Sequence, residues 1–114
     1  MNRRFRLTKS TEIRRVRRDG KSYAHPLVVL VVLRNESGRT AFAISTGRGV
    51  GNAVQRNRAR RLLRAGLQPL LGSLEPGWDA VLVARKPVVS AGFHDVHPVL
   101  KELLHRASLL REIG

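Results

Sequence analysis

The sequence predicts an α/β (α+β) two-layer sandwich whose elements run α-β-β-β-α-β-α. Three stretches carry that expectation. Residues 27–33, LVVLVVL, are seven branched apolar residues in a row, the pattern of a strand covered on both faces. From about Asn52 to Leu71, the residues Ala59, Leu62, Leu63, Gly66, Leu67 and Leu70 fall on one side of a wheel turning about 100° per residue. Residues 78–84, WDAVLVA, then give another apolar strand.

The elements follow in chain order. Residues 1–7 read as a basic, flexible arm. A helix follows, with Thr8 or Ser10 as N-cap and Glu12 in its first turn, where a carboxylate meets the positive helix end. Ile13 and Val16 are its apolar pair, and Asp19-Gly20 stops it. KSYA (21–24) predicts a short strand, and Pro26 introduces the apolar run. RNESG (34–38) is a turn, after which TAFAIST (40–46) returns as a strand antiparallel to the previous one. GRGVG (47–51) is a loop leading into the 52–71 helix, whose last turns Gly66 and Pro69 weaken. Val54, Leu62 and Leu63 read as core. GSLEPG (72–77) is a loop, and Arg85-Lys86-Pro87 ends the strand after it. The last helix is expected from about Asp95 to Glu112, with Asp95 as cap and Pro98 in the first turn. The strands before and after the central helix form a β-α-β unit, which the general rule makes right-handed. One domain accounts for residues 1–114.

Charge is the unusual quantity. Lys+Arg number 22 against 8 Asp+Glu, a net of +14. Eighteen of the 22 are Arg, the side chain suited to forked contact with phosphate and to stacking on bases. The stretch 51–64, GNAVQRNRARRLLR, holds Arg56, Arg58, Arg60, Arg61 and Arg64 and no carboxylate. On the wheel, Asn57, Arg60, Arg61 and Arg64 oppose the apolar side, with Arg58 at its edge. A helix face that serves only solubility alternates signs. A face of one sign asks for an external polyanion, and nucleic acid fits best. Close-set glycines before the helix let backbone approach such a polyanion.

Other classes are excluded. The glycine loop lacks the GK[ST] ending of a phosphate-binding nucleotide loop. The eight carboxylates are scattered, and no Ser-His-Asp arrangement is suggested, so no catalytic side chain is expected. His94 and His97 stand near a helix start without a third ligand, so no metal site on the protein is expected. A helix-turn-helix DNA reader would need two adjacent helices, whereas strands flank the arginine helix; DNA is not the expected partner. No cysteine is present and no apolar stretch approaches the roughly 20 residues of a membrane span. A cytoplasmic protein without a membrane partner is the expectation.

The stretch GNAVQRNRARRLLR resembles the arginine-rich RNR signature of the bacterial ribonuclease P protein subunit family. IRRVRRDGKS (13–22) resembles that family's first helix and its exit, Ala41–Ser45 the strand before the signature, and WDAVLVARKP (78–87) the strand after it. Order and spacing agree over roughly residues 4–112.

The resemblance implies a left-handed β-α-β crossover in place of the right-handed one, in a fold shared with a ribosomal protein domain. It implies an accessory subunit of an endoribonuclease that removes the 5′ leader of precursor tRNA. In that family the RNA subunit performs the hydrolysis with bound magnesium (Mg2+). Carried over by motif, the residues facing the catalytic RNA are Asn52, Arg56, Asn57, Arg58, Arg60, Arg61 and Arg64, with Arg48, Arg85 and Lys86 nearby. The leader cleft, between first helix and sheet, falls on Ile13, Arg17 and Val31. The family usually has aromatics there; here Arg17 would substitute by charge or guanidinium stacking. The loop 46–50 is about two residues longer than usual, with Gly47 where lysine is common. A structural RNA-binding protein of the ribosome is the alternative reading.

Overall fold

A computed structural model describes residues 5–111. The elements are α1 (Ser10–Asp19), β1 (Lys21–Ala24), β2 (Val28–Arg34), β3 (Ala41–Ser45), α2 (Ala53–Leu67), β4 (Trp78–Ala84) and α3 (Phe93–Arg106). Short 3-10 turns at Arg48–Val50, Gln68–Ser73 and Lys86–Ser90 join them. The expected order of helices and strands is the observed one.

The sheet order is β1-β2-β4-β3. β2 and β3 were expected to be hairpin neighbours, and they are not. β4 lies between them, antiparallel to β2 with Leu30 opposite Leu82, and parallel to β3 with Ile44 opposite Leu82. The reason is burial: β4 is apolar on both faces, with Ala80, Val81 and Leu82 all at most 1% exposed, so it takes the centre. β3, α2 and β4 form the expected β-α-β unit.

The alternation along β2 divides the core. Leu30 and Val32 join Phe42, Leu82, Leu63 of α2 and Leu103 of α3 on one face. Val31 joins Leu7, Val16, Ala43 and Val81 on the other, beneath α1. The main sandwich is thus sheet against α2 and α3, with α1 laid across the opposite face. Each fully buried Leu contributes roughly 1.5–3 kcal/mol.

Several local expectations change. α1 has Lys9 at its N-cap position and no side-chain cap, so neither Thr8 nor Ser10 caps it. Gly20 does end it: a Cβ there would stand 2.5 Å from the Val16 carbonyl oxygen and 2.7 Å from that of Val32. α2 stops at Leu67, and the chain continues as a 3-10 turn with Pro69 near its start. α3 begins at Phe93, so Pro98 lies inside it, and it ends at Arg106. There Ser108 takes a positive φ of 60° and Leu110 turns back to bridge Leu74. The expected continuation to Glu112 fails for this reason up to Arg111; Glu112 lies outside the described residues.

The expected arm is also different. Residues 1–4 lie outside the described residues. Arg6 bridges Phe42 in parallel register, and Leu7 N–H donates to the Phe42 carbonyl at 2.8 Å. Leu7 is buried, so residues 6 and 7 extend the sheet edge at β3.

Candidate nucleic-acid interface

α2 is held at its start by a reciprocal cap. Asn52 Oδ1 accepts from the Gln55 backbone N–H at 2.9 Å, and Gln55 Oε1 accepts from the Asn52 N–H at 2.9 Å. Asn52, expected to face RNA, is thus engaged in starting the helix. Gly51 supplies the turn before it with φ 148°, a region that favours glycine.

The five arginines do not form one face. Arg60 and Arg64 lean toward β3, and Arg56 folds back on the turn before α2. Arg56 Nη1 donates to the Gly51 carbonyl at 3.1 Å. Arg60 Nη2 donates to Thr46 Oγ1 at 2.7 Å, and its Nη1 to Asn57 Oδ1 at 3.2 Å. Arg60 and Arg64 share a cleft of about 230 Å³ with Arg6, Thr8, Ile13 and Ile44. Arg64 Nε is buried there with no partner among the described residues. Burial, then the nearby Arg6 and Arg60 charges, lower the Arg64 pKa.

Arg58 leans the other way, toward the start of α3. Arg58 Nη2 donates to the Ala91 carbonyl at 3.2 Å. Arg61 is exposed and has no hydrogen bond within the described residues. With Asn57, Val54 and Leu62 these two line an open hollow of about 520 Å³. Val54, expected in the core, is 77% exposed. At about 100° per residue it falls on the side of α2 opposite the buried Leu63, among Asn57, Arg58 and Arg61.

The remaining expected residues gather elsewhere. Arg17, Arg85 and Lys86 line a cleft of about 290 Å³ with Gly47, Gly49 and Val83. Arg48 is exposed on the 3-10 turn that follows Gly47. Of the three leader-cleft positions, Ile13 and Arg17 present surface, but to different clefts. Val31 is only 5% exposed and packs under α1 in the smaller core. It is not open to a ligand, because its place on β2 turns its side chain toward Val16. Arg6 was missed by sequence reasoning. Its signal was the adjoining Leu7, an apolar residue in an otherwise basic stretch.

The anchors of α2 are backbone carbonyls, a hydroxyl and an amide, none of them an acid. Each leaves the guanidinium charge uncompensated. The fold and this surface define a class: a small basic α+β domain that presents acid-free arginine clefts to a polyanion. The family model described as Ribonuclease P matches residues 1–108. The ribonuclease P protein component of Chloroflexus aurantiacus is 40% identical over 113 residues, covering 96% of this chain and 82% of that protein. That of Clostridioides difficile is 34% identical over 109 residues, covering 95% and 96%. The RNase P protein from Thermotoga maritima superposes with a TM-score of 0.78 at 26% identity, over 89% of this chain and 96% of that one. The Staphylococcus aureus RNase P protein shares the fold with a TM-score of 0.83 at 24% identity, covering 94% and 98%.

The chain belongs to the ribonuclease P protein family. It is therefore the protein component of an endoribonuclease complex of tRNA processing, which implies an RNA partner complex. Nothing in these likenesses favours the ribosomal alternative.

Proposed function

We propose that this chain binds the catalytic RNA of ribonuclease P through both arginine flanks of α2 and helps hold the 5′ leader of precursor tRNA. The observation that carries the reading is the acid-free arginine surface of α2, with its guanidiniums oriented by neutral acceptors. A preformed array of forked donors neutralises phosphates without first breaking ion pairs of its own. The cleft of Arg17, Arg85 and Lys86 is our candidate for the leader, with contacts to backbone charge that tolerate sequence.

Hydrolysis is assigned to the RNA, with magnesium held mainly there. The donor chemistry favours that assignment: guanidiniums and ammoniums offer no lone pair to a hard cation, which takes oxygen ligands. The side chains of these clefts do not fit a magnesium site. The work is placed in the cytoplasm, a reducing compartment that suits a chain without cysteine.

The test is precursor-tRNA cleavage at low magnesium by the catalytic RNA, with and without this protein. Addition is expected to raise the rate. An unchanged rate, or cleavage by the protein alone, defeats the reading; co-purification with ribosomes would move the chain to the ribosome.

A further inference from the structure

The α3 flank of α2 differs from the β3 flank in having an apolar floor. Val54 and Phe93 are the two large apolar residues left exposed among the described residues, at 77% and 39%. Val54 and Leu62 share their hollow with Arg58, Arg61 and Asn57, and no carboxylate lines it. At about 520 Å³ it falls in the roughly 300–1,000 Å³ range of small-ligand sites. Arg58 reaches from it to the Ala91 carbonyl, two residues before Phe93.

Phe93 begins an aromatic step. Its ring stacks on His97 at 5.5 Å between centroids and 6° between planes, and meets His94 edge-on at 5.8 Å. His97 is pinned in turn, because a carbonyl only accepts: Nδ1–H donates to Gly66 of α2 at 3.0 Å. That bond fixes the step against α2. Asp95, the nearby acid, is occupied in accepting the Gly92 N–H at 2.8 Å.

An apolar floor walled by two guanidinium forks and an amide suits a nucleotide: base on the floor, phosphate on the arginines, hydrogen bonds from the amide. A protein partner that buried its apolar surface here would desolvate two cations that this chain leaves without an acid, a cost that a phosphate beside each base meets directly. We propose that this flank is a site for an unpaired RNA nucleotide, its base lying against Val54 and Leu62 between Arg58 and Arg61. The adjoining base stacks on the Phe93–His97 step. The proposal deepens the RNA-binding reading above and rests on it.

The test titrates the whole protein with two short single-stranded RNAs of equal phosphate count, one normal and one abasic at its central positions. Methyl and ring NMR signals report the contact, and affinity is read at several salt concentrations. The normal strand is expected to shift the Val54, Leu62 and Phe93 signals and to bind about tenfold tighter than the abasic one. Val54→Lys adds charge at an exposed position that does not threaten folding. It is expected to erase the preference between strands, whereas a purely electrostatic surface would bind both more tightly. Phe93→Leu is expected to weaken the preference in part. Equal binding of the two strands by the unaltered protein overturns the base site; if that binding still falls with salt, the electrostatic reading stands. A preference that survives Val54→Lys, or a titration that moves none of these signals, also overturns it. Binding insensitive to salt would overturn the broader reading instead.

Discussion

Arg15 Nη2 stands 3.3 Å from Asp79 Oδ2, a contact that spans 64 residues of sequence and ties α1 to the start of β4. The Asp79 side chain is 10% exposed and the Arg15 side chain 47%. Asn35 Nδ2 donates to the second Asp79 oxygen at 2.9 Å. One carboxylate thus closes the β2 turn and fixes the helix that roofs the smaller core. Asp79→Ala is expected to destabilise the fold by about 1–3 kcal/mol, because it removes the acceptor shared by the Asn35 amide and the Arg15 guanidinium. Arg15→Ala, at the exposed end, is expected to cost about 0–1 kcal/mol. Urea unfolding midpoints distinguish the two.

Asn52 serves the helix before it serves any RNA. Asn52→Ala is expected to cost about 0.5–2 kcal/mol through loss of the cap. Asn52→Ser keeps an N-cap acceptor and is expected to recover most of that stability. If the alanine variant kept full thermal stability while losing RNA affinity, Asn52 would be a contact residue in its own right.

Arg58→Ala with Arg61→Ala is expected to leave the thermal midpoint nearly unchanged, since one bond to a carbonyl is all the pair contributes internally. Affinity for the catalytic RNA is expected to fall, and the slope of log affinity against log salt to become shallower by about two. If the complete protein neutralises about six phosphates, its affinity falls roughly a thousandfold between 50 and 200 mM salt. Isothermal titration or filter binding across that range checks both statements.

Gly20→Ala is expected to destabilise the fold by about 1–3 kcal/mol. Two of the three nearest atoms its Cβ would meet are backbone oxygens that cannot swing aside. A midpoint within error of the unaltered protein would show that α1 shifts freely on the sheet.

The Asp19 carboxyl is held below the ordinary aspartate range, first by hydrogen bonds from Arg18 at 2.9 and 3.0 Å. A depressed pKa contributes stability above the ordinary aspartate value and loses it as pH falls through the folded value. NMR titration of the Asp19 carboxyl is expected to show this, with a return toward the ordinary value in Arg18→Ala. Both groups are exposed, so high salt is expected to shrink the difference.

The arginine run of α2 needed no structure to be seen, and neither did the element order or the apolar run of β2. Each is a local pattern, carried by residues a few positions apart. The strand order was not legible: the short 34–38 turn suggested a hairpin, and only the packing of β4 shows why another strand lies between. Val54 read as core from its apolar type alone, yet on the helix it stands opposite the buried Leu63. Val31 read as cleft surface and does face α1, but Val16 of that helix packs over it and leaves no opening.

The sequence by itself determined that α2 carries five arginines and no acid, because charge is a property of composition and survives any folding. Only the tertiary structure decided that this charge is divided, Arg60 and Arg64 beside β3 and Arg58 toward α3, with Arg61 on the hollow beside Arg58. The reason is that α2 is seated between β3 and α3, and residues a fraction of a turn apart on a seated helix meet different neighbours.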